Sequence, residues 1–232
     1  MTTPAQEQDA EREFATATFA IVVLLSATSG IVDAVAFARF GVFVANQTGN
    51  LVIVALSLAK EQPIETQIAS VLALVTFTVG VFAAVLVRRQ LLKRMQQARV
   101  RVVLLGTEAA LIALTGLGVV IWGNERFAYV AVVMLSLSQA IQAAVVTRII
   151  GLAVQTVVIN TALVQSAEAW ALGRRRAAAI AFGTPIGYLI GAFTGALLLR
   201  FPPPTALLSA LITAAAALVI AHLIRVRGAR IE

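Results

Sequence analysis

Five consecutive polar residues, Asn46, Gln47, Thr48, Gly49 and Asn50, interrupt the apolar run from Gly41 to Ala59. Amide groups at that density can hold a polar solute by hydrogen bonds. They are also expensive in hydrocarbon, where a polar group without a partner is strongly disfavoured. Asp33 lies in the preceding apolar run, and Arg39 lies between the two. An acid inside a spanning segment is a candidate carrier of a proton or cation. The alternative is an ion pair with Arg39 or Arg148 that pins helices together. A weaker copy of the interrupted run occupies Gly151 to Ala171, with Asn160 and Thr161 in its middle.

Read as half-helices, the two stretches bring their amino ends together inside the membrane, with Thr48 and Asn160 as N-caps. Free N–H groups and positive dipole ends there favour an anion or a polar molecule bearing a carboxylate. The expected substrate-binding residues are Asn46, Gln47, Thr48, Gly49, Asn50, Asn160, Thr161 and Arg39, with Asp33 as the coupling residue. The alternative for the amides is that they satisfy one another and the broken backbone.

The elements that must position these residues are apolar helices. The chain has 232 residues, 60% of them hydrophobic and 12% charged, with mean hydropathy +0.93. A soluble domain carries about 25% charged residues, so the lipid bilayer is the expected partner of nearly the whole chain. The formal charge of +7 sits in short clusters between apolar runs and does not point to nucleic acid. Cysteine is absent and His222 is the single histidine, which argues against thiol chemistry and a His-rich metal or catalytic site. No cofactor is implied, and no pattern of an enzyme is present.

The expected fold is an all-α polytopic membrane protein with six spanning helices and two re-entrant or broken half-helices in an inverted repeat. Residues 1–13 read as a disordered cytoplasmic tail, 14–224 as a single membrane domain and 225–232 as a basic cytoplasmic tail. Repeat one covers 14–101 and repeat two 127–224. Positive charge supports six crossings. If both interrupted stretches return to the side they came from, Arg12, the Arg88–Arg101 loop, Arg174–Arg176 and the C-terminal arginines all lie inside. With Arg39 and Arg148, beside the interrupted stretches, set aside, only Lys60, Arg126 and Arg200 then lie outside, which is the bias expected of a plasma-membrane protein with both termini cytoplasmic. Two further crossings would divide the charges evenly. Glu108 is expected to pair with Arg101 near the inner surface.

Matches between the halves support the repeat. Leu51, Val52, Ala55 and Ala59 fall on Leu163, Val164, Ala167 and Ala171, on one helical face. Thr76, Gly80 and Ala84 fall on Gly187, Gly191 and Gly195, and the second copy extends to Gly183. Small residues at every fourth position let helices approach closely in lipid. Paired discontinuous helices in inverted repeats suit a secondary transporter or small channel for a polar or anionic small solute. The alternative is a non-catalytic scaffold or partner subunit docking through an exposed glycine ridge, a ridge that also suits a homodimer.

The segments Gly30 to Ala34, G-x-x-D-A, and Phe43 to Asn50, F-x-A-N-x-T-G-N, carry a resemblance over essentially the full length. The chain resembles the bacterial YoaK family, domain of unknown function 1275. The resemblance implies a multispanning membrane protein and no particular substrate. In the second half, Gln155, Thr156 and Asn160-Thr161-Ala162 depart from the Thr-rich run ending in T-G-T that such proteins often show.

Overall fold

A computed structural model describes residues 4–60, 64–146, 159–202 and 204–228. Among them the chain forms eight helices: α1 (Pro4–Phe40), α2 (Gln47–Lys60), α3 (Ile64–Leu92), α4 (Gln97–Trp122), α5 (Asn124–Val146), α6 (Ile159–Ala171), α7 (Arg175–Leu198) and α8 (Pro204–Gly228). Six of these are long and apolar enough to cross a membrane: α1, α3, α4, α5, α7 and α8. The other two have 14 and 13 residues. At 1.5 Å per residue they reach about 20 Å, short of the roughly 30 Å of hydrocarbon. This is a multi-pass helical membrane protein.

The outer helices run further toward the ends of the chain than the apolar runs alone indicate. Helix α1 begins at Pro4, so the acidic segment expected to be disordered is helical from there. Ala, Gln, Glu and Arg are good helix formers, and Pro is well tolerated at a first helical position. Helix α8 likewise continues through Arg225 and Arg227 to Gly228. At its far end α1 stops at Phe40 because Gly41 takes a left-handed conformation, φ +69°. The Gly41 N–H closes the last turn on the Phe37 carbonyl at 2.9 Å.

Helix α1 is the axis of the bundle. It packs against α7 and α8 and crosses α5. Helix α5 packs against α3 and α4, α4 against α8, α3 against α4, and α7 against α8. The short helices lie on their successors, α2 on α3 and α6 on α7. Contacts give the directions. Gly187, Gly191 and Gly195 meet Val23, Ala27 and Ile31 in the same order, so α1 and α7 run parallel. Gly80 meets Leu137 and Ala140, and the Arg88 guanidinium donates to the Ala144 carbonyl at 3.3 Å, so α3 and α5 also run parallel. Gln142 donates to the Leu25 carbonyl while Gln139 meets Ser29, so α1 and α5 are antiparallel.

The glycine ridge is not exposed. Gly183, Gly187, Gly191 and Gly195 are all buried, and a Cβ on Gly191 would fall on the Ala27 carbonyl. From the other side, a Cβ on Gly30 would fall on the Tyr188 carbonyl. Small residues from both helices thus let the α1 and α7 backbones touch, and the ridge has no face left for a partner subunit.

We expect Gly191→Leu to lower the unfolding temperature in detergent, by an overpacking cost of about 1–3 kcal/mol or more. Leu189→Ala, at a side chain 70% exposed, should change it by no more than about 0.5 kcal/mol.

Candidate functional site

The interrupted stretch folds back on the end of α1. The Asp33 side chain is buried and collects the backbone of the break. Its Oδ1 accepts the N–H groups of Val44 and Ala45, both at 2.7 Å, and its Oδ2 accepts that of Asn46 at 3.1 Å. The hydroxyl of Tyr188 on α7 donates to the same Oδ2 at 2.6 Å. Four donors on one carboxylate are close to its full accepting capacity.

Asn50, also buried, closes the other side. Its Oδ1 accepts the Phe43 N–H at 2.9 Å, and its Nδ2 donates to the Phe43 carbonyl at 2.6 Å and to Gln47 Oε1 at 2.9 Å. Gln47 Nε2 donates to the Val44 carbonyl at 2.9 Å. The Phe43 ring stacks on Phe37, centroids 4.7 Å apart. Gly49 lies beneath that ring, where a Cβ would stand 2.7 Å from its Cδ2.

These contacts change several expected roles. Asp33 is held by N–H groups and a phenol rather than by Arg39, and Arg148 lies outside the described residues. The cap of α2 is Asn46, whose Oδ1 accepts the Gly49 N–H at 3.3 Å. Thr48 sits inside the first turn and is exposed, because the chain becomes helical two residues earlier than its hydroxyl would require. Asn160 lies within α6 and is exposed, and Thr161 is half-buried beside it. Gln155 and Thr156 lie outside the described residues. Since α2 rests on α3 and α6 on α7, the two groups of amides are carried by separate helix pairs.

Arg39 is exposed and lines a cavity of about 480 Å³ with Phe40, Gly41, Glu65, Asn124, Glu125 and Tyr129. This vestibule lies where the end of α1 meets the starts of α3 and α5. It offers one cation, two carboxylates and polar groups that bind without net charge.

A second polar feature was not anticipated. Two apolar clusters fill the bundle, one built on Leu25, Leu105, Ile141 and Ala217, the other on Ile31, Ile112, Leu135 and Ala210. Between them runs a buried polar belt: Ser26, Thr28, Ser29, Glu108, Ser136, Ser138, Gln139 and Gln142. Ser29 donates to Gln139 Oε1 at 2.7 Å, Gln142 Nε2 donates to Ser29 Oγ at 3.0 Å, and Thr28 shares a hydrogen with Thr213 at 2.8 Å. The sequence does carry a signal for it. Leu25, Ser26, Thr28, Ser29 and Ile31 stand against Leu135, Ser136, Ser138, Gln139 and Ile141, all at the separation of 110 that divides Ser29 from its partner Gln139. Glu108 does not pair with Arg101: neither of its carboxylate oxygens has a hydrogen-bond partner among the described residues.

Among the described residues, no group of three His, Asp or Glu side chains is placed to hold a metal ion. The family profile described as "Protein of unknown function (DUF1275)" matches residues 21–223. The chain belongs to the DUF1275 family. The match runs from within α1 to the last turns of α8, so the Asp33 clasp, the polar belt and α6 all lie in the DUF1275 domain. Neither a curated protein nor a solved structure matches the chain.

Asn50→Ala should leave the half-buried Phe43 N–H and carbonyl without this partner, at up to about 1–3 kcal/mol for each unsatisfied group. Thermal unfolding in detergent should show a clear loss of stability. Thr48→Ala, at an exposed hydroxyl that caps nothing, should leave the transition unchanged within about 0.5 kcal/mol.

Proposed function

We propose that this protein is a secondary transporter, or small channel, for a polar small solute, built as an inverted repeat in the bacterial inner membrane with both termini cytoplasmic. The observation that carries this reading is an exchange symmetry of the packing. Swap α1 with α5, α2 with α6, α3 with α7, and α4 with α8. The pair α1–α7 then becomes α5–α3, α1–α8 becomes α5–α4, α2–α3 becomes α6–α7, and α3–α4 becomes α7–α8. The pairs α1–α5 and α4–α8 map onto themselves. The first unit on this reading extends through α4. Two equivalent halves around one centre give alternating access a structural basis, because each half can adopt the packing of the other.

Two features support six crossings with α2 and α6 re-entrant. Eight alternating crossings would make α1 and α5 parallel, and they are antiparallel. Glu65 at the start of α3 shares a cavity with Arg39 at the end of α1, which supports a first interrupted stretch with both ends on one side.

The substrate-binding role proposed for the Asn46–Asn50 break takes a particular form. Its N–H donors already hold a carboxylate, that of Asp33, so a solute with an acidic group competes with Asp33 for them. The vestibule meets the solute first: Arg39 suits a carboxylate, and Glu65 and Glu125 suit an amine. Asp33 then acts as the coupling latch. It joins the α1–α2 break to α7 through Tyr188, and α7 carries α6 on another face. Any sliding of the α6–α7 pair along α1 has to release that bond. A scaffold docking through the glycine ridge lacks support, since α1 already covers the ridge.

Proteoliposome uptake across a panel of labelled amino acids and small organic acids tests the proposal. We expect a subset to be accumulated. Asp33→Asn should reduce the rate about tenfold or more, the equivalent of losing one charge-assisted hydrogen bond. Tyr188→Phe should alter the rate while the protein stays folded. Wild-type vesicles no different from empty ones across the panel, or an Asp33→Asn rate equal to wild type, would overturn it.

A further inference from the structure

Helix α4 holds an acid that the clasp does not use. Glu108 is fully buried, at 0% exposure, and both of its oxygens lack hydrogen-bond partners among the described residues. Its depth follows from the two apolar clusters. Leu105 packs in the cluster with Ile141, and Ile112 in the cluster with Leu135. Glu108 is therefore level with the intervening turn of α5, which carries Ser136, Ser138 and Gln139. Ser136 Oγ and Gln139 Nε2 likewise lack partners. The carboxylate and its neighbours form a buried polar group with spare hydrogen-bonding capacity on both sides.

An unpaired carboxylate ion in such a place would be far from any compensating charge, a situation proteins avoid. The polar residues at this level of the two helices packed most closely on α4 are all neutral: Ser136, Ser138 and Gln139 on α5, and Thr213 on α8. Helix α3 touches α4 more lightly and contributes Arg88, whose guanidinium reaches the Ala144 carbonyl instead. On α4 itself the nearest charge is Arg101, about two turns away. Gln139 Oε1 is already taken by Ser29. What remains on Gln139 is Nε2, which can donate to a carboxyl oxygen but cannot ligate a metal cation, and the single Ser136 hydroxyl is too few oxygens to complete a cation's shell. A carboxylic acid, with one donor and a free carbonyl oxygen, suits these surroundings; an ion does not.

We propose that Glu108 is a proton-binding site at the centre of the bundle. It sits level with the polar belt, on α4, whose pairing with α8 the exchange maps onto itself, so that rearrangement of the two halves would change its surroundings. Its use in coupling rests on the transport reading above, but the bound proton does not, and the experiment separates the two. The reversible step is the simplest one: a carboxylate oxygen takes a proton from water that reaches the belt, and returns it to water on either side.

The test is labelling of the purified full-length protein with dicyclohexylcarbodiimide, followed by peptide mass mapping. This reagent reacts with the protonated acid. The carboxyl oxygen bonds to the central carbon, the acid proton moves to nitrogen, and an acyl shift leaves a stable N-acylurea. We expect modification at Glu108 in acidic buffer, its loss as the pH is raised, no protection by sodium chloride, and no product at this position in Glu108→Gln. Infrared difference spectra of wild type against Glu108→Gln should show the carbonyl stretch of a protonated acid. The labelling arm uses wild-type protein alone, so it stands even if the variant does not fold. Absence of the N-acylurea at Glu108 under all conditions, or protection by sodium at fixed pH, would overturn the proposal. A protein that labels as expected yet moves no solute would instead contradict the transport reading.

Discussion

A single carboxylate holds the broken chain in lipid. Where α1 stops, the N–H groups of Val44, Ala45 and Asn46 have no helical carbonyl to meet, and at this depth little water replaces one. Asp33 supplies the acceptor for all three, two turns back along the helix that has just ended. Its negative charge also faces the amino end of α2, where the helix dipole favours it. Tyr188 adds a fourth donor from α7. The acid and the break explain one another: without the break the acid would have no partners, and without the acid the break would leave buried donors unmet.

The rest of the architecture follows from that fold-back. After Gly41 the chain runs into α2, too short to span, and then into α3, against which α2 packs. The same sequence of long helix, short helix and long helix recurs from α5 to α7. The close approach of α1 and α7, made by glycines on both, brings Tyr188 to Asp33. Apolar layers above and below then isolate the polar belt at the α1–α5 crossing. Hydrogen bonds inside such a belt are well shielded, and each unsatisfied member is correspondingly costly.

Much of this was legible from residue types. Long apolar runs bounded by arginines marked the six long helices, and the Asn46–Asn50 cluster marked the one place where a spanning helix could not continue. Asp33 stood out as an intramembrane acid, but its partner did not. Reading it against Arg39 treats charge pairing as the main way to hold a buried acid, whereas backbone N–H groups hold it more cheaply and lie closer. Thr48 was a reasonable cap by type, but Asn46 is two residues nearer the turn and its amide oxygen does the work. The glycine ridge was visible as a close-packing surface. Whether it faced lipid or another helix depends on tertiary contacts that no single segment contains. The polar belt was missed because its serines look unexceptional in one helix. Their signal is the recurrence of Leu-Ser-x-Thr/Ser at a fixed separation, which appears only when the two halves are compared.

The claim on which the rest depends is that the first interrupted stretch enters and leaves on the same side of the membrane. The natural absence of cysteine allows it to be measured directly, with single cysteines placed at Ala38, Glu65 and Asn124 and a membrane-impermeant maleimide applied to intact cells and to inverted vesicles. The account predicts that all three positions react from the outer side only. Reaction of the Glu65 position from the opposite side to the Ala38 position would contradict it, because the stretch between them would then cross.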